Sequence, residues 1–296
     1  MKLLSEIVIL AKKKGTSKIV VAAADDKPVL LAIKKAFEEG IVIPVLIGDE
    51  KAIRKIASEI SFDIQNIEII NEINPGLSAK KAVAYIKEGK ASILMKGLVA
   101  TAPLLKAVLD KETGLRKCAT LSHLALFESS FYHKVFAVTD AAMNINPEFE
   151  EKVHILTNAV DVFHRLGFKN PKIAVLAPVE TVNEKIESTL HAAQLTMMNK
   201  RKQINGCIID GPLALDNAIS FEAAEHKGIK SEVAGDADIL MVSNLDSGNI
   251  LYKSLIFLGG ALSAAIITGA SVPIVLTSRA DSEHSKFISI ALAAAL

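Results

Sequence analysis

Cysteine is scarce in this chain: Cys118 and Cys207 are the two among 296 residues, and no CxxC joins them. That spacing argues against a disulfide framework or a zinc site and fits a reducing cytoplasm. An excess of one charge is missing as well. A formal net charge of +1 supplies no clustered Lys/Arg footprint for nucleic acid or an anionic membrane, so small molecules and further copies of the chain are the expected partners. GxxxxGK[ST], GxGxxG after a strand, GxSxG and HExxH are all absent, which sets aside P-loop, dinucleotide-fold, hydrolase-elbow and zincin chemistry. The seven histidines are scattered and read as surface or packing residues.

What is present is apolar sequence: half of the residues are hydrophobic, enough to bury the cores of two α/β domains. The opening "MKLLSEIVILAKKKG" is broken by Glu6, and Leu3, Ile7 and Leu10 recur at helical spacing, so it predicts an amphipathic helix and not a signal peptide. Residues 254–278 carry no charge and are long enough to cross a bilayer. Gly269 and Pro273 interrupt them, and the pattern predicts a buried helix followed by a strand over Ile274, Val275 and Leu276.

"SKIVVAAADD", "IVIPVLIGD", "ASILMKG", "PKIAVLAP", "INGCIIDGP", "ADILMVSN" and "VPIVLTSR" are short apolar runs without polar alternation, most of them separated by amphipathic stretches. Such runs predict parallel sheets covered on both faces. "LSHLALFESSFYHKVFAVTD" holds two apolar runs on a short polar connection and predicts an antiparallel pair. The chain is expected to pass from one α/β domain to the other near 139–146, with a first domain of 1–139 plus 278–296 and a second of 140–277.

In open parallel sheets the ligand crevice lies beyond the carboxyl ends of the strands. The residues there are "KGLVAT" (Lys96, Gly97, Thr101), "TDAAMN" (Thr139, Asp140, Asn144), "DGPLALD" (Asp210, Asp216), "SNLDSGN" (Asn244, Asp246, Gly248, Asn249) and "TSR" (Thr277, Ser278, Arg279). Hydroxyls, amides and isolated cations suit an oxyanion. Gly248 is expected to let backbone approach a ligand, with Asn249 at the start of a helix whose free N–H groups attract phosphate. Arg279 can hold two phosphate oxygens as a rigid fork, ahead of a helix capped by Asp281 or Ser282. Plain helix capping with a surface arginine explains the same residues equally well. Ser278, Asp281 and His284 sit too close together on one turn for a hydrolase relay, and the acids of "DGPLALD" and "AGDAD" are too few for a hard-cation site.

"TDAAMNINP", "DGPLALDNAIS", "SNLDSGNILYKSL" and "TSRADSEHSKFISIAL", in this order and spacing, resemble the phosphate acetyl/butyryltransferase family, and most closely its butyryl branch. The resemblance runs from about residue 15 to the end. It implies two three-layer α/β domains with mostly parallel sheets, like isocitrate/isopropylmalate dehydrogenases, and an active site in the interdomain cleft. It also implies a cytoplasmic homodimer or higher homo-oligomer. The implied reaction moves an acyl group between coenzyme A, a substrate and not a bound cofactor, and inorganic phosphate; no metal is implied. By the same resemblance Ser278 and Arg279 are catalytic, while Asp140, Asn144, Ser247, Gly248, Asn249 and Lys253 line the substrate site, beside Lys96 and Thr101 from the strand-end reading. The acetyl branch carries an aspartate, often assigned as the base, where this chain has Ser285. An acyl-carrier-protein-dependent phosphate acyltransferase, a metal-dependent dehydrogenase of the same fold and a non-catalytic acyl-CoA or phosphate binder are the competing readings.

Overall fold

The computed structural model describes residues 1–277 and 281–296; Ser278, Arg279 and Ala280 lie outside the described residues. The chain forms two compact units, Ser5–Leu121 with Ala264–Leu296 and Met1–Leu4 with Ser122–Ser263.

The first unit carries α1 (Ser5–Lys14), β1 (Ser17–Ala22), α2 (Lys27–Glu38), β2 (Val42–Gly48), α3 (Glu50–Glu59), β3 (Glu68–Asn71), α4 (Pro75–Lys87), β4 (Ile93–Lys96) and α5 (Thr101–Val108). Its strands run in the order β3-β2-β1-β4, all parallel. Moving from β1 through β2 to β3 and then back to β4 reverses the direction across the sheet. Because parallel crossovers are right-handed, α2 and α3 must cover one face and α4 the other, which makes the three layers the apolar runs predict. Ile19, Val20, Val21 and Ala22 of β1 are fully buried, the isoleucine and the two valines each contributing about 1.5 to 3 kcal/mol. In α1 the buried residues are Ile7 and Ala11. Leu3 is half exposed and Leu10 is only partly covered, so of the Leu3, Ile7, Leu10 reading Ile7 alone is buried.

The second unit carries β5 (Ser122–Glu128), β6 (Phe136–Thr139), α6 (Phe149–Arg165), β7 (Lys172–Leu176), α7 (Glu187–Lys200), β8 (Ile208–Leu213), α8 (Leu215–Ile219), α9 (Phe221–His226), β9 (Ile239–Met241) and α10 (Leu245–Phe257). Its order is β5-β6-β9-β7-β8. β5 and β6 are antiparallel, with Leu124 opposite Thr139 and Phe127 opposite Phe136, as the two apolar runs predict, and the rest are parallel.

β10 (Leu262–Thr268), β11 (Ile274–Val275) and α11 (Glu283–Ala294) follow. Here the expectation for residues 254–278 is corrected: α10 ends at Phe257, and a strand, not a helix, precedes β11. Gly259 and Gly260, the latter at φ 63, end the helix, and the β-branched "AAIIT" after them favours a strand. β11 then pairs with β4 in parallel and with β10 antiparallel, which draws this segment into the first unit. The units also divide at 121/122, upstream of the expected 139–146, because the antiparallel pairing holds β5 beside β6.

Candidate active site

In the second unit the loop after β6 and the start of α10 are locked together. Asp140, 4% exposed, accepts from the backbone N–H of Ala142 (2.9 Å) and Met143 (3.0 Å) through Oδ1, and Asn144 Nδ2 donates to its Oδ2 at 2.6 Å. The carboxylate therefore shapes its own turn, just after a cis Thr139–Asp140 peptide. Asn249 Nδ2 donates to the Ala141 carbonyl at 3.3 Å and Leu245 N–H to the Ile145 carbonyl at 2.9 Å.

Gly248 makes that union possible: a Cβ there would lie 2.5 Å from the Asp140 carbonyl oxygen and 2.9 Å from Ala141 Cα. The close approach expected of Gly248 is thus to the protein's own backbone. Asn244, not Asn249, is the N-cap of α10, accepting from Ser247 N–H at 3.0 Å while Ser247 Oγ donates back to the Asn244 carbonyl at 3.0 Å. Asn249 lies a full turn inside the helix. Lys253 is exposed farther along α10, outside this network.

In the first unit Lys96, 8% exposed at the end of β4, donates from Nζ to the Gly97 and Val99 carbonyls, both at 3.1 Å. Thr101 is exposed as the first residue of α5. Ser278 and Arg279 are not among the described residues. Their flanks are: Thr277 is 5% exposed, and Ser282 caps α11 by accepting from Ser285 N–H at 3.0 Å, as one of the two expected caps. Ser285 Oγ accepts from Ser282 Oγ at 3.1 Å, so the two hydroxyls form a pair at the start of α11.

A feature not singled out from the sequence lies beside the locked loop. A pocket of about 430 Å³ is walled by residues after β6 (Asn146, Glu148), at the start of α7 (Glu187, Ser188), after β9 (Asn244) and by Lys152 of α6. It sits at the carboxyl ends of three neighbouring parallel strands. Lys152 is 4% exposed and its Nζ lies 2.8 Å from His191 Nδ1. Burial lowers the pKa of both, Lys152 being partly restored by Glu187 and Glu148. The signal was legible: Lys152 shares the inner stripe of α6 with Ile155, Leu156 and Ala159, where a charge is out of place.

A model of the family described as "Phosphate acetyl/butaryl transferase" matches residues 3–80 and 72–294. The phosphate butyryltransferase of Clostridium acetobutylicum is 48% identical over 98% of this chain and 96% of its own length. The phosphate acetyltransferase of Thermotoga maritima is 44% identical over 98% of both. Among solved structures, a branched-chain phosphotransacylase from Enterococcus faecalis V583 is similar at TM-score 0.84 and 35% identity, covering 94% of this chain and 97% of that one. A 4-hydroxythreonine-4-phosphate dehydrogenase from Klebsiella pneumoniae shares the fold, at TM-score 0.58 and 16% identity over 95% of this chain and 99% of that one. With one family matched across both units and relatives this close along nearly the whole length, the chain belongs to the phosphate acetyl/butyryl transferase family and is an acyltransferase.

Proposed function

We propose that this enzyme converts butyryl-CoA and phosphate to butyryl phosphate and CoA, reversibly, by direct transfer in a ternary complex. The observation that carries the reading is the 48% identity to a phosphate butyryltransferase, sustained over 98% of the chain. A phosphate oxygen attacks the thioester carbonyl, a C–O bond forms, and the tetrahedral oxyanion collapses with cleavage of the C–S bond. CoA departs as a thiolate and takes a proton from solvent. The nucleophile is already an anion and the leaving thiol has a pKa of about 8.5, so positioned donors matter more than a strong base. That agrees with Ser285 standing where the acetyl branch has a carboxylate. In this reading Ser278 and Arg279 grip phosphate and oxyanion, Lys96, Thr101, Ser247 and Lys253 contact the substrates, and Asp140, Asn144, Gly248 and Asn249 hold the second unit's loop in shape. CoA enters as substrate, and the enzyme works as a cytoplasmic homodimer or larger homo-oligomer.

The acyl preference is tested by phosphate-dependent CoA release across chain lengths. Each methylene buried in a fitting pocket contributes about 0.8 kcal/mol, so butyryl-CoA should exceed acetyl-CoA by roughly tenfold in kcat/KM. The profile should peak near four or five carbons, as overpacking costs about 1 to 3 kcal/mol. Acetyl-CoA equal to or better than butyryl-CoA would select the second reading, a phosphate acetyltransferase, which the 44% identity to the Thermotoga maritima enzyme favours.

Cys207 is a poor nucleophile. Cys207 is buried, and desolvation pushes its thiol up to about 11, far from the thiolate that covalent catalysis needs. The double variant Cys118→Ser, Cys207→Ser should keep kcat within about twofold. Parallel-line initial-velocity plots, or an acylated protein in the mass spectrometer, would contradict direct transfer.

A further inference from the structure

We infer that Lys152, at the wall of the pocket between the loops after β6 and β9 and the start of α7, binds a phosphate group of the substrates. Three lysines are buried among the described residues, Lys96, Lys152 and Lys286. Lys96 donates to the carbonyls of its own loop and Lys286 to the Asp281 carbonyl at 2.6 Å. Lys152 differs because its hydrogen-bond partner is a ring nitrogen. With Lys152 as an ammonium, which has only donors, His191 would accept through Nδ1 as a neutral ring with its proton on Nε2. Nothing in that contact neutralises the charge.

A buried cation is stable only when paired with an anion or satisfied by several acceptors. The carboxylates that face Lys152 are Glu148 and Glu187. Both are exposed, and among the described residues neither is hydrogen-bonded to it. A phosphate oxygen entering the pocket would supply the missing acceptor at close range, with lysine acting as the point charge it usually is toward phosphate. The other donors on the wall, the Asn146 and Asn244 amides and the Ser188 hydroxyl, suit the remaining oxygens. The position at the carboxyl ends of β6, β9 and β7 is where parallel sheets place such ligands. Lys152 Nζ lies 2.8 Å from His191 Nδ1, and Lys152 is itself one of the residues that line the pocket.

The identity of the phosphate rests on the acyl-transfer reading: it is inorganic phosphate or a phosphate of CoA. The test compares Lys152→Met and Lys152→Arg with the parent, using kinetics for inorganic phosphate, CoA and 3′-dephospho-CoA, and calorimetric titration with phosphate and with CoA. Lys152→Met should fold, since it replaces a buried charge by an apolar chain of similar length, and circular dichroism checks this. Its KM and Kd should rise about tenfold for the bound species, with Lys152→Arg recovering most of the loss. A rise confined to inorganic phosphate identifies the nucleophile's site. A rise for CoA but not for dephospho-CoA identifies the 3′-phosphate, and a rise for both identifies the diphosphate. A folded Lys152→Met whose constants for phosphate and CoA all stay within about twofold of the parent overturns the inference. If the parent itself shows no phosphate-dependent CoA release, the acyl-transfer reading fails. The calorimetry then still decides for or against Lys152 as an anion ligand.

Discussion

Arg279→Lys is expected to lower kcat/KM about 100-fold, close to the 3 kcal/mol that one well-aimed donor to a developing oxyanion supplies. Lysine preserves the charge, so long-range attraction of phosphate survives. What it loses is the planar fork, which in the proposed role would meet two oxygens at once and keep the nucleophile in line with the thioester carbonyl. The loss should fall on both constants. KM for phosphate rises because a bidentate contact becomes a single one, and kcat falls because the remaining contact no longer follows the oxyanion as it forms. Thermal unfolding should be unchanged, since an arginine committed to a substrate anion is not committed to the fold. Initial rates across phosphate concentrations decide the matter: kinetics within about twofold of the parent would remove Arg279 from the reaction.

Continuous apolar strands separated by helices were legible because a parallel sheet buried on both faces leaves no polar alternation, and β1, β4 and β6 are buried throughout their cores. The antiparallel β5–β6 pair showed itself through its short connection. β10 did not, because an apolar run alone does not separate a buried helix from a buried strand. The division between the units was equally hidden: it depends on which strands pair, and no composition shift marks residues 121 and 122. Within the site, "SNLDSGN" announced a helix start. It did not say that Gly248 and Asn249 are spent on the loop of Asp140, because that needs two segments more than a hundred residues apart to be placed side by side. Lys152 was visible as a charge on an apolar stripe, but only the pocket gives that charge a use.

Gly97→Ala is the substitution expected to cost the fold most. A Cβ at this position would stand 2.0 Å from the Ala23 carbonyl oxygen and 2.7 Å from that of Ala22, and both are backbone atoms with no rotamer to change. They are also held in place. Gly97 N–H donates to Ala22 O at 2.8 Å, Leu98 N–H donates to Ala23 O at 2.7 Å, and the Ala23 N–H is fixed by Ser78 Oγ at 2.7 Å. Relief therefore requires the carboxyl ends of β1 and β4 to part, which breaks hydrogen bonds buried among fully covered residues at about 1 kcal/mol each beyond the steric cost. A loss of about 3 kcal/mol or more follows, lowering Tm by roughly 5 to 10 °C for a chain of this size. Gly248→Ala meets the Asp140 carbonyl at 2.5 Å, but it sits in the first turn of α10, which can tilt. Its stability loss should be about half as large. Activity should respond in the other sense, falling further in Gly248→Ala than its stability loss explains, because the displaced segment carries Asp140 and Asn144. Calorimetric scans of the two variants beside their kcat/KM values test the argument. A Gly97→Ala protein melting within about one degree of the parent would mean that the two strand ends separate freely and that the glycine is not what brings them together.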